Sequence, residues 1–269
     1  MIRRIGLFIL FVIAFNFIEN FAHKKTDGFS PQRIQFGTEL SPGDTISIPQ
    51  LNQSFHYLDC GNQCYAFVSE DGKYVLKFFK YASSPIPHFL TQIPLLNRFK
   101  PFRPHRFEKQ LWKRERDFNG YNLAFNNFRK ESGLIALHLS PTDHHYPTIT
   151  LTDKLNCIHH IDLNQTPFIL QQKATPIYKQ LRSWIQAGEM TQAKEGIASL
   201  INLLKKRISL NLQDDDVHFY SNFGFLGQEA IQLDPGHFTQ GTYPDPDLEL
   251  KQITQELTHW CKKNAPELL

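Results

Sequence analysis

Asp214-Asp215-Asp216-Val217-His218-Phe219-Tyr220-Ser221-Asn222-Phe223-Gly224-Phe225-Leu226-Gly227-Gln228-Glu229-Ala230-Ile231-Gln232-Leu233-Asp234-Pro235-Gly236 is the stretch that decides the fold. An acidic loop leads to an Asn. Two short apolar strands follow, 223–226 and 230–233, joined by a turn at Gly227 and Gln228. The second strand ends at Asp234, just before Pro235 and Gly236. A tight hairpin of this kind sets Asn222 and Asp234 side by side as hard oxygen donors, the chemistry that suits Mg²⁺ carrying phosphates.

Upstream of this stretch the pattern divides in two. Residues 55–59, 65–69 and 74–79 are short runs rich in aromatics and Val, separated by Cys60-Gly61-Asn62 and Glu70-Asp71-Gly72-Lys73. They predict an antiparallel three-strand meander. Five prolines between residues 82 and 105 exclude one long helix there. A helix is expected from Arg106 to about Phe128, then strands at 148–152 and 168–171. Helices should dominate afterwards, over 177–187, 191–208 and 249–263. In the second of these Ala193, Ile197, Leu200, Ile201, Leu204 and Ile208 form one stripe at helical spacing. Strands first and helices later imply an α+β protein with two lobes.

Two charged residues stand out within these elements. In Tyr74-Val75-Leu76-Lys77-Phe78-Phe79, alternation puts Val75, Lys77 and Phe79 on one face. A Lys among apolar neighbours is costly unless paired or snorkelling to water. On the helix from Arg106, Glu115 falls in the stripe Phe107, Leu111, Phe118, Asn122 and Phe125, and Lys77 and Glu115 would satisfy each other. A tilted helix that leaves Glu115 wet beside Arg114 and Arg116 is the alternative, with Glu108 as the reserve partner.

The order meander with Lys77, helix with Glu115, two strands, a connecting segment, helices, Asn222 and Asp234 resembles the protein kinase-like superfamily, over residues 55–238. The resemblance implies a bilobal fold, with an antiparallel N-lobe sheet over residues 51–172 and a reduced helical C-lobe over 173–269. It implies that Lys77 contacts ATP phosphates and pairs with Glu115, that Asn222 and Asp234 hold Mg²⁺, and that 168–174, with Gln172, is the hinge against the adenine. The loop over the phosphates keeps only Gly61, in Asp59-Cys60-Gly61-Asn62-Gln63-Cys64, and the usual Asp-Phe-Gly becomes Asp234-Pro235-Gly236. Pro235 fixes φ and lacks a backbone donor, which stiffens that segment. The catalytic base of the family lies five residues before the Asn, a place held here by Val217; Asp216 is six before it and Asp215 seven. Either the loop carries one extra residue and Asp216 is the base, or the site is inactive and the protein is a pseudokinase that binds nucleotide or a partner without transfer. The short chain after Asp234 points to a minimal kinase, with a sugar, lipid, small metabolite or protein as the phosphate acceptor; transfer of AMP would use the same phosphate-holding residues.

The rest of the chain adds limits. Arg3 and Arg4, the apolar run from Ile5 to Ile18 and then Lys24 and Lys25 read as an export signal or an uncleaved anchor over residues 1–25, although Asn20-Phe21-Ala22 is a poor cleavage site. Residues 26–50, with Gly28, Pro31, Gly37, Pro42 and Gly43, read as a linker or irregular lead-in. A net charge of +3 is too mild to imply a nucleic-acid partner. Cys60, Cys64, Cys157 and Cys261 lack the spacing of a zinc site and read as half-buried thiols. The pairs His144-His145 and His159-His160 offer one ligand per strand face and read as surface or satisfied histidines. The basic run from Arg103 to Arg116 reads as a solvated helix face. A Gly-x-Ser-x-Gly elbow and a Walker loop are both missing from the sequence.

Overall fold

A computed structural model describes residues 20–35, 47–80 and 104–268, together with residues 14, 17, 18, 41 and 42. Along the chain run β1 (Phe55–Cys60), β2 (Cys64–Ser69), β3 (Tyr74–Phe79), α1 (Pro104–Asn127), α2 (Arg129–Ser132), β4 (Leu134–His138), β5 (Thr148–Thr152), β6 (Ile158–Asp162), β7 (Phe168–Gln172), α3 (Ile177–Gln186), α4 (Met190–Ser209), β8 (Leu212–Asp214), β9 (Phe223–Leu226), β10 (Glu229–Gln232), β11 (Phe238–Gln240), α5 (Pro246–Ile253) and α6 (Gln255–Asn264). The protein is α+β, and its described residues fall into two compact units. Residues up to 83 and 138–168 form the first unit, and 84–137 and 169–269 the second. Helix α1 therefore groups with the later helices rather than with the meander.

The first unit is built on a mixed sheet. β1, β2 and β3 form the expected antiparallel meander, with a bulge between Tyr57 and Asp59. β5 adds to β1 in parallel, and β6 pairs antiparallel with β5. Phe55, Tyr65, Phe67, Leu76, Phe78 and Leu151 are buried in it. The lead-in is not a free linker. Phe29 packs edge-on against Tyr65 and Phe67, each at 5.2 Å, and Ile34 is fully buried. Asp27 bonds to Lys154 at 2.7 Å and accepts from the Tyr57 hydroxyl, while Gly28 offers its carbonyl to Tyr65 and Arg33. Its turn residues therefore fold the chain onto the sheet, and its two apolar side chains gain more from burial than from water. Asn164 holds the segment at 145–146: its Oδ1 accepts the backbone N–H groups of His145 and Tyr146, and its Nδ2 donates to the Tyr146 carbonyl.

In the second unit α4 buries Ala193, Leu200, Leu204 and Ile208, with Gly196, Leu203 and Arg207 beside them. β9 and β10 form the expected hairpin, in register Phe223↔Gln232 through Leu226↔Glu229, turning at Gly227 with φ +61°. β8 pairs antiparallel with β11, and residues 175 and 176 pair with β9. The single C-terminal helix expected from Glu249 is two: α5 starts earlier, capped by the Asp245 side chain on the Leu248 N–H, and α6 follows after Thr254. The Thr254 hydroxyl bonds back to the Leu250 carbonyl, the local competition that breaks a helix's regularity. Among the described residues the four cysteines are not joined in disulfides.

Candidate functional site at the end of the hairpin

Backbone pairing continues one step past the hairpin strands, where the Leu233 N–H donates to the Asn222 carbonyl at 2.7 Å. Asn222 and Asp234 thus emerge at the same end of the hairpin. Asn222 is 5% exposed. Its Nδ2 donates to the Asp216 carbonyl at 2.7 Å and lies 3.4 Å from Asp216 Oδ2; its Oδ1 accepts from the Ser221 hydroxyl at 2.8 Å. The loop of residues 215–222 therefore folds back so that Asp216, six residues before Asn222, lies against it. Asp216 is half-buried, and its other oxygen is 3.2 Å from His218 Nε2.

Helix α1 forms the wall behind Asp234. The Tyr121 hydroxyl, fully buried, donates to Asp234 Oδ1 at 3.0 Å, and the Gly236 N–H reaches the same oxygen at 3.3 Å. A Cβ on Gly120 would stand 2.3 Å from the Gly236 carbonyl oxygen and 2.7 Å from that of Pro235. A glycine inside a helix costs about 1 kcal/mol against Ala, and here it lets the backbone after Asp234 lie directly on the helix. The carboxylate of Asp234 is oriented from two sides, with Pro235 fixing the chain between them.

Among the described side chains of α1, Asp117, Gly120, Tyr121 and Ala124 are buried, and Phe128, just after its end, is buried too. Glu115 is exposed, and Asn122 is too. The expectation that Glu115 shares the core-facing stripe is therefore corrected: among the described side chains the buried face is shifted by two positions, and the carboxylate on it is Asp117. Burial pushes the Asp117 carboxyl above the usual range, and nearby Asp234 adds to this, while Arg116, bonded at 2.7 Å, and His237 pull it down. Beneath the loop, Asp214 is held by Arg207 at 3.1 Å and by Gln232 at 2.6 Å. Burial raises the Asp214 carboxyl, and Arg207 opposes the shift.

The other predicted site residues are placed as follows. Lys77, in β3, is half-buried between buried Val75 and Phe79, and Gly61 sits exposed in the turn after β1; both belong to the first unit. The Gly61 N–H bonds to the Cys64 carbonyl at 3.0 Å, and Lys80 bonds to the Gly61 carbonyl and to Cys60 Sγ, the latter at 2.8 Å. Gln172, exposed at the end of β7 in the second unit, bonds through its N–H to the Gly133 carbonyl at 2.9 Å. Asp216, Asn222, Asp234 and Glu115 also lie in the second unit, and the structure brings the first two into contact. His159 pairs with Asp153 at 2.8 Å, a satisfied histidine. Sequence reasoning missed Tyr121, Asp117 and His237. The spacing 117, 121, 124, 128 carried a signal for the first two, whereas nothing local distinguishes His237.

No protein-family model matches the chain, and no curated protein sequence matches it. Solved structures of WbdD, a bifunctional kinase-methyltransferase, are similar to it. One, in complex with the kinase inhibitor LY294002, shows 17% identity over 75% of this chain and 37% of its own, with a TM-score of 0.37. Another shows 18% identity over 79% and 39%, with a TM-score of 0.40. The likeness is distant, and the chain spans under two fifths of the length of those proteins.

Proposed function

We propose that this protein is a kinase-like phosphotransferase that uses ATP and Mg²⁺. The observation that carries the reading is the hairpin end, where Asn222 is bonded to Asp216 and Asp234 is oriented by Tyr121. Asn222 Oδ1 and the Asp234 carboxylate are hard oxygen donors on rigid backbone, a set that fits Mg²⁺ completed by phosphates and water. Such an ion, when bound, supplies neutralisation of the phosphate charge. Asp216 takes the proton of the acceptor hydroxyl. In this reading Lys77 and the turn at Gly61 serve the phosphates, the resemblance gives Glu115 as the partner of Lys77, and Gln172 belongs to the hinge. The acceptor is a sugar, lipid, small metabolite or protein. The apolar run from Ile5 to Ile18, which lies mostly outside the described residues, serves as an export signal or anchor; no helix among the described residues is long and apolar enough to cross a membrane.

A second reading is a pseudokinase that binds nucleotide without transfer, favoured by His218 standing 3.2 Å from the Asp216 carboxylate. Turnover of Mg·ATP by the full chain, beside thermal melts with ATP and Mg²⁺, separates the two. Asp216→Ala should lower kcat by about a hundredfold or more and leave the Mg²⁺-dependent melt shift intact, whereas Asp234→Ala and Lys77→Ala should reduce both. Turnover that survives Asp234→Ala and Lys77→Ala would overturn the assignments. A melt shift without any turnover selects the second reading.

A further inference from the structure

We propose that Cys60 and Lys80 form an oxidation-sensitive pair, in which a single oxygen atom comes to bridge Sγ and Nζ. The pair lies within the first unit. Cys60 is the last residue of β1, and Lys80 directly follows β3. Both are half-buried, so a small oxidant reaches them from solvent. Lys80 is held from several sides. Its N–H donates to the Gln63 carbonyl at 2.7 Å, and its Nζ donates to the Gly61 carbonyl and stands 4.8 Å from the centre of the Tyr65 ring. Nζ is thereby set 2.8 Å from Cys60 Sγ. That separation is ordinary for a nitrogen and an oxygen and short for the larger sulfur atom.

Strand pairing explains why the partner is Lys80 and not Cys64. Cys60 lies opposite Tyr65, Tyr65 lies opposite Phe78, and Lys80 is two residues beyond Phe78, so Cys60 and Lys80 share one face. Cys64 lies opposite Phe79 and belongs to the other face. A disulfide across the turn would need both thiols on one side. Thiols beside a lysine and open to solvent are the ones that oxidants attack. With dioxygen as the oxidant, the S–H bond, one N–H bond of the neutral amine and the O–O bond break. An S–O and an O–N bond form, and the second oxygen leaves as water with the two hydrogens. Sulfur and nitrogen each give up two electrons, and dioxygen takes all four. Two molecules of hydrogen peroxide serve equally, giving three waters. The bridge fastens the end of β1 to the end of β3 and removes the lysine's charge beside Gly61. Its effect on ATP use, though not its formation, rests on the phosphotransferase reading, in which the turn at Gly61 serves the phosphates.

Mass spectrometry of the full chain tests the bridge. After treatment with hydrogen peroxide and proteolysis, the peptides bearing Cys60 and Lys80 should appear as one cross-linked species, about 14 Da above their summed masses, and dithiothreitol should separate them. Cys60→Ser and Lys80→Arg should each abolish the species, and Cys64→Ser should keep it. Oxidation that stops about 16 Da above the Cys60 peptide, the mass of a sulfenic acid, or a link from Cys60 to another cysteine overturns the proposal. So does a wild type that peroxide leaves unlinked. Mg·ATP turnover should fall with peroxide and return with dithiothreitol, and a linked protein of unchanged turnover overturns the effect on ATP use. A wild type without turnover would end the phosphotransferase reading, while the mass shift would still decide the bridge.

Discussion

Arg207 and Asp214 form an ion pair whose removal should be the costliest polar change in the second unit. Their side chains are 1% and 0% exposed, with Nη1 3.1 Å from Oδ2. Gln232 joins both, accepting from Nη1 at 3.2 Å and donating to Oδ2 at 2.6 Å. The three residues come from the last turn of α4, from β8 and from β10, so the pair knits the floor under the acidic loop. Arg207→Met keeps the apolar stem but leaves a buried carboxylate with only two neutral donors, the Gln232 amide and the Asp216 N–H, which should cost about 3–5 kcal/mol. The Asp214 carboxyl is already raised by burial, and losing Arg207 raises it further. A raised folded pKa favours the protonated protein, so the variant's deficit should shrink toward about pH 5 and grow toward about pH 8. Arg207→Met with Asp214→Asn removes both charges while keeping an acceptor for the Asp216 N–H, and should be less destabilised than the sum of the single changes by about 2 kcal/mol or more. Trp112, Trp184 and Trp260 all lie in the second unit, so urea unfolding followed by tryptophan fluorescence reports that unit alone. A single variant within about 1 kcal/mol of wild type, or a cycle without coupling, would refute the reasoning.

Two further outcomes are expected. His138 is 4% exposed, its Nε2 faces the Asn164 carbonyl at 3.3 Å, and burial lowers its pKa to about 4. Its stabilising contribution is full above the unfolded value near 6.5 and is lost as pH falls toward 4; about 2 kcal/mol should vanish from the first unit between neutral pH and about pH 5. Calorimetry of wild type and His138→Gln should show a shallower acid dependence in the variant, and equal slopes would exclude His138 as its source. Gly120→Ala gains about 1 kcal/mol of helix propensity but drives a methyl into the backbone of Pro235 and Gly236, so a net loss of about 1–3 kcal/mol is expected by urea unfolding. A stabilised variant would mean that the helix and that segment are not in contact.

How far the sequence could be read depended on which forces left a local trace. The meander, the hairpin and α4 announced themselves because turn chemistry and side-chain period act over a few residues. Strands β4, β6, β8 and β11 did not, because their residues become strands only through partners supplied from elsewhere, β6 from β5 and β8 from β11. The same division runs through the site. Asn222 and Asp234 were legible since the hairpin that joins them is local. The face of α1 was not: Glu115 and Asp117 differ by two positions, a rotation of about 200° on a helix, and each has an apolar neighbour at helical spacing. What decides between them is Gly120, where the backbone of Pro235 and Gly236 approaches too closely for any side chain, and that contact joins residues more than a hundred positions apart. The glycine that looks like a weak point in the helix is thus the residue that fixes its rotation, and with it which carboxylate is buried and which tyrosine reaches Asp234.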